Sequence, residues 1–196
     1  MAASRGPSEL GERFIANALI IYRSMNRPEK SEYNEYYERY VSKVADDDIV
    51  ATLGKQPSEL KELFANVGED RGTYSYEDGK WTLKEVLSHL IDGERIFGYR
   101  MLRISRADET PIEGFEQDGY IENSHANRRP IAELLEEFTL LRRANVLFFA
   151  NLESDDWVRT GTANNIEISV RSLAWIIVGH VRHHIAIFRD QYLAKS

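Results

Sequence analysis

Apolar residues recur every three or four positions in four stretches of the chain, which is the spacing of amphipathic helices. The first stretch runs from Ile49 to Val67 and follows three consecutive aspartates, whose carboxylates can cap a helix N-terminus. Gly54 and Pro57 lie inside this stretch, and a proline removes one hydrogen bond of a helix. We therefore predict a helix that begins near Ile49 and is kinked, or restarts, at Pro57.

The three later stretches predict three more helices. The second helix follows Thr82, which can form a capping box with Glu85. The third begins at Pro130, because proline fits the first turn of a helix. The fourth extends from about Val170 to Leu193.

The connections between the later helices have different patterns. From Trp157 to Ser169, apolar and polar residues alternate on either side of Asn164 and Asn165, which predicts a small hairpin with an asparagine turn. A loop rich in acidic residues, glycine and asparagine covers about residues 107–129. Four amphipathic helices and one hairpin predict an all-α fold, a four-helix bundle with a small β-hairpin before the last helix.

The beginning of the chain differs in composition from the rest. Residues 1–24 join a loose start to one short apolar stretch, so we treat them as a leader before a domain at residues 25–196, with Met25 as an alternative start. A tyrosine-rich segment follows, with four phenols in eight positions: Tyr33, Tyr36, Tyr37 and Tyr40. One short helix cannot bury four phenols with every hydroxyl bonded, so some should face a polar cleft or solvent.

Composition narrows the possible classes of function. The 196 residues include 25 basic and 32 acidic side chains, with a net charge of −7 and no cysteine. The acidic balance argues against a nucleic-acid partner. No apolar run reaches the ~18 residues of a membrane span, so we expect a cytoplasmic protein. The lack of cysteine excludes thiolate chemistry by the chain itself, and any metal must be held by nitrogen and oxygen atoms.

Histidines carry the candidate chemistry. His180 and His184 lie four residues apart in the last predicted helix, so their imidazoles project side by side and can reach one metal ion. His89 lies on the inward side of the second helix, and metal ligands in bundles come from inward positions on facing helices. Together the three predict an open metal site with a free coordination position. The alternative for each is a core histidine satisfied by hydrogen bonds.

Other titratable residues give weaker signals. His183 is interpreted as a neighbour of the ligands or a solvent-facing residue, and His125 as a surface residue. Asp92, one turn after His89, can hold a histidine tautomer by a hydrogen bond, and a surface acid is the alternative. The chain has neither a phosphate-binding glycine loop nor a Gly-x-Ser-x-Gly elbow. The sequence therefore identifies no catalytic base.

Several short motifs give the chain a family resemblance through their order and spacing. The motifs are Gly79-Lys-Trp81, Val86 to Asp92, Pro111 to Tyr120, Gly161 to Asn164 and Gly179 to His184. Together they resemble the DinB-like (DinB/YfiT-like) family of small bacterial metalloproteins over about residues 28–193. The resemblance implies an up-down-down-up bundle and a homodimer. It also implies a divalent ion, often zinc or nickel, held by His89, His180 and His184.

The resemblance further implies a class of function. Members include thiol-dependent S-transferases and isomerases as well as proteins of no known reaction. We expect a metal-dependent enzyme that activates water or a small thiol against a small molecule, a hydrolase or a thiol S-transferase. Four aromatic residues are expected to wall the substrate cleft: Tyr36, Tyr37, Phe115 and Tyr120. The alternative is a non-enzymatic metal-containing sensor or a stress-induced ligand-binding protein.

Overall fold

Helices and one hairpin make up the part of the chain that the computed structural model describes, residues 26–45 and 48–194. The helices are α1 (Glu38–Val41), α2 (Ile49–Phe64), α3 (Leu83–Ser105), α4 (Gln117–Asn123), α5 (Ile131–Phe149), α6 (Ser154–Val158) and α7 (Val170–Ile187). Strands β1 (Thr160–Ala163) and β2 (Ile166–Ser169) come directly before α7. The predicted all-α bundle with a hairpin before its last helix is confirmed. The predicted leader lies outside the described residues.

Two of the long helices begin at the predicted caps. The Asp48 carboxylate accepts hydrogen bonds from the backbone N–H groups of Val50 and Ala51, each at 3.1 Å. The Thr82 hydroxyl accepts from the Glu85 N–H at 3.2 Å, and the Glu85 carboxylate accepts from the Thr82 N–H at 2.7 Å. These bonds satisfy donors that a helix N-terminus otherwise leaves unpaired.

Helix α2 continues through Pro57, so the restart predicted there as one alternative does not occur. Pro57 has no N–H to donate to the carbonyl of Leu53, four residues earlier. Arg142 of α5 donates to that carbonyl instead, with 3.4 Å between Nη1 and the oxygen. A contact from another helix thus occupies the acceptor that the proline leaves free.

The four long helices pack around the bundle in the order α2, α5, α3, α7. The first and last of them are neighbours and run parallel. Midway along both helices, the Gln56 side chain donates to the Val178 carbonyl at 2.9 Å. Two turns later on α2, the Phe64 ring contacts Phe188, just beyond α7, with 5.0 Å between ring centres. Parallel first and last helices are a property of the predicted up-down-down-up arrangement.

The hairpin also forms where the sequence predicts it. Its strands pair antiparallel, with Thr160 opposite Ser169. Asn164 and Asn165 make the turn with φ values of 54° and 59°. Asparagine tolerates this left-handed backbone better than most residues, which explains why it occupies the turn.

Two boundaries differ from the prediction. The polar loop at 107–129 contains the short helix α4, whose one buried residue is Ile121, so the segment has no apolar periodicity to reveal it. Helix α7 ends at Ile187, and Phe188–Leu193 continues with wider, π-type hydrogen bonding. In this last segment the Tyr192 hydroxyl donates to the Trp81 carbonyl at 2.6 Å. The two residues are far apart in the chain, so the local sequence pattern does not predict this contact.

Glu32 joins the N-terminal segment to the first turn of α7. Its carboxylate accepts hydrogen bonds from the Ser169 hydroxyl and from Arg171 Nε, both at 2.7 Å. Ser169 is itself the N-cap of α7, the helix that carries two of the candidate ligands. Burial raises the pKa of Glu32, but the hydrogen bonds from Arg171 and Ser169 outweigh it and leave the pKa below its usual value.

Replacing Glu32 with glutamine should lower the free energy of unfolding by about 1–2 kcal/mol at pH 7. Because the folded-state pKa is lowered, this stabilisation is present above the unfolded pKa and is lost as the pH falls through the folded value. The difference between the variant and the wild type should therefore shrink below about pH 4. Urea unfolding at several pH values measures it, with exposed Glu35→Gln as control. A difference that does not change with pH contradicts the assignment.

Two apolar clusters fill the bundle and meet near the middle of α3 and α7. One cluster includes Phe97 and Ile177, and the other includes Leu87 and Val181. The candidate ligands of both helices lie at this boundary. Within the described ranges, the helices are too short or too polar to cross a membrane.

Candidate metal centre

Three histidines meet at the boundary between the two apolar clusters. His89 comes from α3, and His180 and His184 come from successive turns of α7. The Nε2 atoms of His89 and His180 are 2.8 Å apart, and one candidate donor nitrogen from each ring lies within 4.8 Å of the others. Their exposed fractions are 5%, 5% and 8%. The structure thus brings together the three residues that the sequence predicts as ligands.

Burial keeps these imidazoles uncharged. It lowers the pKa of His89 to about 4, with His183 adding a smaller effect of the same sign. Burial lowers the pKa of His180 and of His184 well below the usual value, and the neighbouring histidines lower both further. Neutral imidazole is the form that binds metal. At neutral pH these three rings therefore do not have to lose a proton before they bind an ion.

The donor set suits a divalent transition metal. Nδ1 of His184 is a buried nitrogen for which the described residues provide no hydrogen-bond partner. Three imidazoles favour zinc, nickel, copper or iron over magnesium and calcium, which take oxygen ligands. Three protein ligands also leave a coordination position for another molecule, as in catalytic zinc sites. The residues present therefore fit a bound divalent ion.

Two glycines allow the elements around the cluster to approach closely. A Cβ at Gly179 would lie 2.0 Å from the carbonyl oxygen of Tyr40, so glycine is required for the backbone of α1 to touch α7. A Cβ at Gly93 would lie 3.2 Å from the ring of His180. The first contact sets the Tyr40 ring against His180, with 5.2 Å between ring centres.

A cavity of about 310 Å³ opens onto two of the three histidines, His89 and His180. Three of the residues predicted to wall a cleft line it: Tyr36, Tyr37 and Phe115. The fourth, Tyr120, packs on Phe115 with 5.3 Å between ring centres but lines two neighbouring cavities instead. It lies on α4, the helix that the sequence did not reveal.

The remaining predicted site residues lie around the cluster rather than in it. His183 is half-buried, and its ring centre lies 5.1 Å from that of His184 and 5.6 Å from that of Tyr40. Asp92 lines a separate cavity with Arg95, and burial raises the pKa of its carboxyl. His125 is exposed, as predicted.

Two features of the site were missed by the sequence prediction. Arg100 lines the cavity and is only 3% exposed. Its position, eleven residues after His89, places it on the same face of α3, and this spacing is a signal that could have identified it. Glu94 and Arg142 form a buried ion pair, and Arg142 also binds Gln56. The pair is near enough to His180 for the charge of Arg142 to lower the pKa of that imidazole. Only the packing of three helices brings these residues together.

The chain is similar to known proteins in sequence and in fold. A model of the DinB superfamily matches residues 52–188. A relative from Halalkalibacterium halodurans, named "Putative metal-dependent hydrolase", is 23% identical over 153 residues, which cover 74% of this chain and 86% of the relative. YfiT from Bacillus subtilis, described as "a probable metal-dependent hydrolase with an unusual four-helix bundle topology", matches with a TM-score of 0.65 and 19% identity. That match covers 85% of this chain and 92% of YfiT.

Proposed function

The chain belongs to the DinB superfamily, and from this premise we propose that it is a metal-dependent hydrolase of small molecules. His89, His180 and His184 hold one divalent ion, and the adjoining cavity receives the substrate. The observation that carries the proposal is the convergence of three buried, neutral imidazoles, two of which border an open cavity. The printed descriptions of the Halalkalibacterium relative and of YfiT support the hydrolase class.

The chain's own residues complete the proposed mechanism. A divalent ion, zinc or nickel in this proposal, supplies when bound a Lewis acid that lowers the pKa of water or a thiol toward neutrality. Burial raises the pKa of the Tyr37 and Tyr40 hydroxyls, so both stay protonated and can donate hydrogen bonds to a substrate. The rings of Phe97 and Phe115 line the cavity and provide an apolar surface that excludes water.

The proposal predicts that hydrolysis depends on the metal. Zinc- or nickel-loaded protein should hydrolyse members of a panel of aryl esters and amides, and removal of the ion with a chelator should abolish the activity. The matched control is the His184→Ala variant treated in the same way. If the three histidines form the metal site, the chelator should not change the hydrolysis rate of this variant.

Two other assay results would assign the protein to a functional class other than the hydrolases. Metal-dependent consumption of an aryl electrophile in the presence of a small thiol, without ester or amide hydrolysis, indicates a thiol S-transferase. Because the chain contains no cysteine, that thiol must come from a cosubstrate. If the rates with and without metal are equal in every assay, the protein is a non-enzymatic sensor or ligand-binding protein. The homodimer and the cytoplasmic location stay predictions.

A further inference from the structure

Arg100 is a buried cation at one end of the cavity that borders the metal centre. It lies on α3 in line with His89, Gly93 and Phe97, and all four residues line the cavity. The guanidinium carbon of Arg100 is 5.8 Å from the centre of the Phe97 ring, and the ring centre of His180 is 5.9 Å from the same point. Arg100 and the candidate ligands thus border the same aromatic ring, within reach of a single small molecule.

The guanidinium of Arg100 has no acidic partner. Its Nη2 donates to the Glu113 carbonyl at 3.3 Å, and it contacts the Tyr37 hydroxyl. Nε is buried with no hydrogen-bond partner, and no carboxylate of the described residues pairs with Arg100. Buried arginines are normally paired. The other fully buried arginine near the site, Arg142, follows that rule through its ion pair with Glu94.

The rest of the cavity leaves this positive charge unbalanced. Among the described residues that line it, none is acidic, and Arg100 is the one charged side chain. A divalent ion on the histidines adds further positive charge. The cavity therefore favours an anionic molecule, although the chain as a whole has a net charge of −7.

We propose that Arg100 binds a carboxylate group of the substrate, so that the centre acts on small aromatic or aliphatic carboxylates. This inference rests on the proposed function. A guanidinium presents parallel N–H groups that match the two oxygens of a carboxylate. The carboxylate occupies the Arg100 end of the cavity, the apolar part of the molecule lies along Phe97, and the reacting group faces the histidines.

A matched pair of probes tests the inference. Calorimetric titration with phenylacetate and with its neutral amide, phenylacetamide, should show that zinc-loaded protein binds the carboxylate roughly tenfold or more tightly. In Arg100→Met the two dissociation constants should agree within about twofold. Arg95→Met, which removes a half-exposed arginine from the same helix, should keep the full preference. Arg100→Lys should keep part of it, because the charge remains without the planar fork.

Two outcomes overturn the inference. One is that the wild-type protein binds phenylacetate no more tightly than phenylacetamide. This result does not depend on whether any variant folds. The other is a preference that survives in Arg100→Met, which assigns carboxylate binding to the ion instead. The zinc content of each sample is measured separately. A wild-type protein that does not bind zinc contradicts the proposed function, whereas zinc-loaded protein whose carboxylate preference does not depend on Arg100 contradicts this inference alone.

Discussion

Replacing His180 with alanine is expected to weaken zinc binding by more than about 100-fold, since even residues that only support metal ligands change affinity by 10- to 100-fold. His180 is a candidate ligand that contacts both of the others, because its Nε2 is 2.8 Å from that of His89 and its ring centre is 4.7 Å from that of His184. Without it, His89 and His184 are left as two ligands on facing helices. Competition with a fluorescent zinc chelator measures the affinity.

Two control variants separate loss of a ligand from a general effect of removing histidine. His125→Ala removes an exposed imidazole far along the chain from the cluster and should leave zinc affinity unchanged. His183→Ala removes a half-buried neighbour of His184 and should change the affinity less than His180→Ala does. Circular dichroism shows whether each variant is folded. A folded His180→Ala protein that binds zinc as tightly as the wild type contradicts the assignment of His180 as a ligand.

Replacing Arg142 with methionine is expected to lower the free energy of unfolding by about 3–5 kcal/mol, because it leaves a buried carboxylate without its partner. Arg142 Nε donates to Glu94 Oε2 at 2.9 Å, and both side chains are almost fully buried, with 0% and 2% of their surface exposed. The same guanidinium binds Gln56, whose side chain in turn donates to the Val178 carbonyl. One substitution therefore affects contacts among all four long helices.

The neighbouring residue provides the matched control for this prediction. Arg143→Met removes the same charge from an exposed position on the same helix and should change stability by less than about 0.5 kcal/mol. In the double variant Arg142→Met with Glu94→Leu, much of the lost stability should return, because no unpaired charge stays buried. Urea unfolding measures all three. A similar effect of Arg142→Met and Arg143→Met contradicts a buried ion pair.

Local signals were sufficient to predict most of the fold. The apolar periodicity of each long helix reflects burial of one face, and Asp48 and Thr82 cap helices through bonds to residues two or three positions away. Asn164 and Asn165 form their turn for an equally local reason. Pro57 shows the limit of such signals, because the residue that compensates for it lies 89 positions from the acceptor carbonyl, on another helix.

In the candidate site, too, some residues could be predicted from local signals and others could not. His180 and His184 are one turn apart, so their convergence follows from helix geometry, and His89 joins them because bundle interiors collect inward residues from facing helices. The spacing of Arg100 from His89 places both on one face of α3 but does not show that Arg100 is buried without an acidic partner, and the Glu94–Arg142 pair has no local signature at all. Their roles depend on which charges are buried and whether a partner lies opposite, and both properties are set by packing between helices.

Anomalous diffraction at the zinc edge, from crystals of the wild-type protein grown with zinc, shows whether the three histidines bind a metal ion. We expect one strong peak between α3 and α7, about 2.0–2.1 Å from one nitrogen each of His89, His180 and His184. If the map has no anomalous peak at this cluster, or has zinc peaks only elsewhere, the three-histidine metal centre is contradicted.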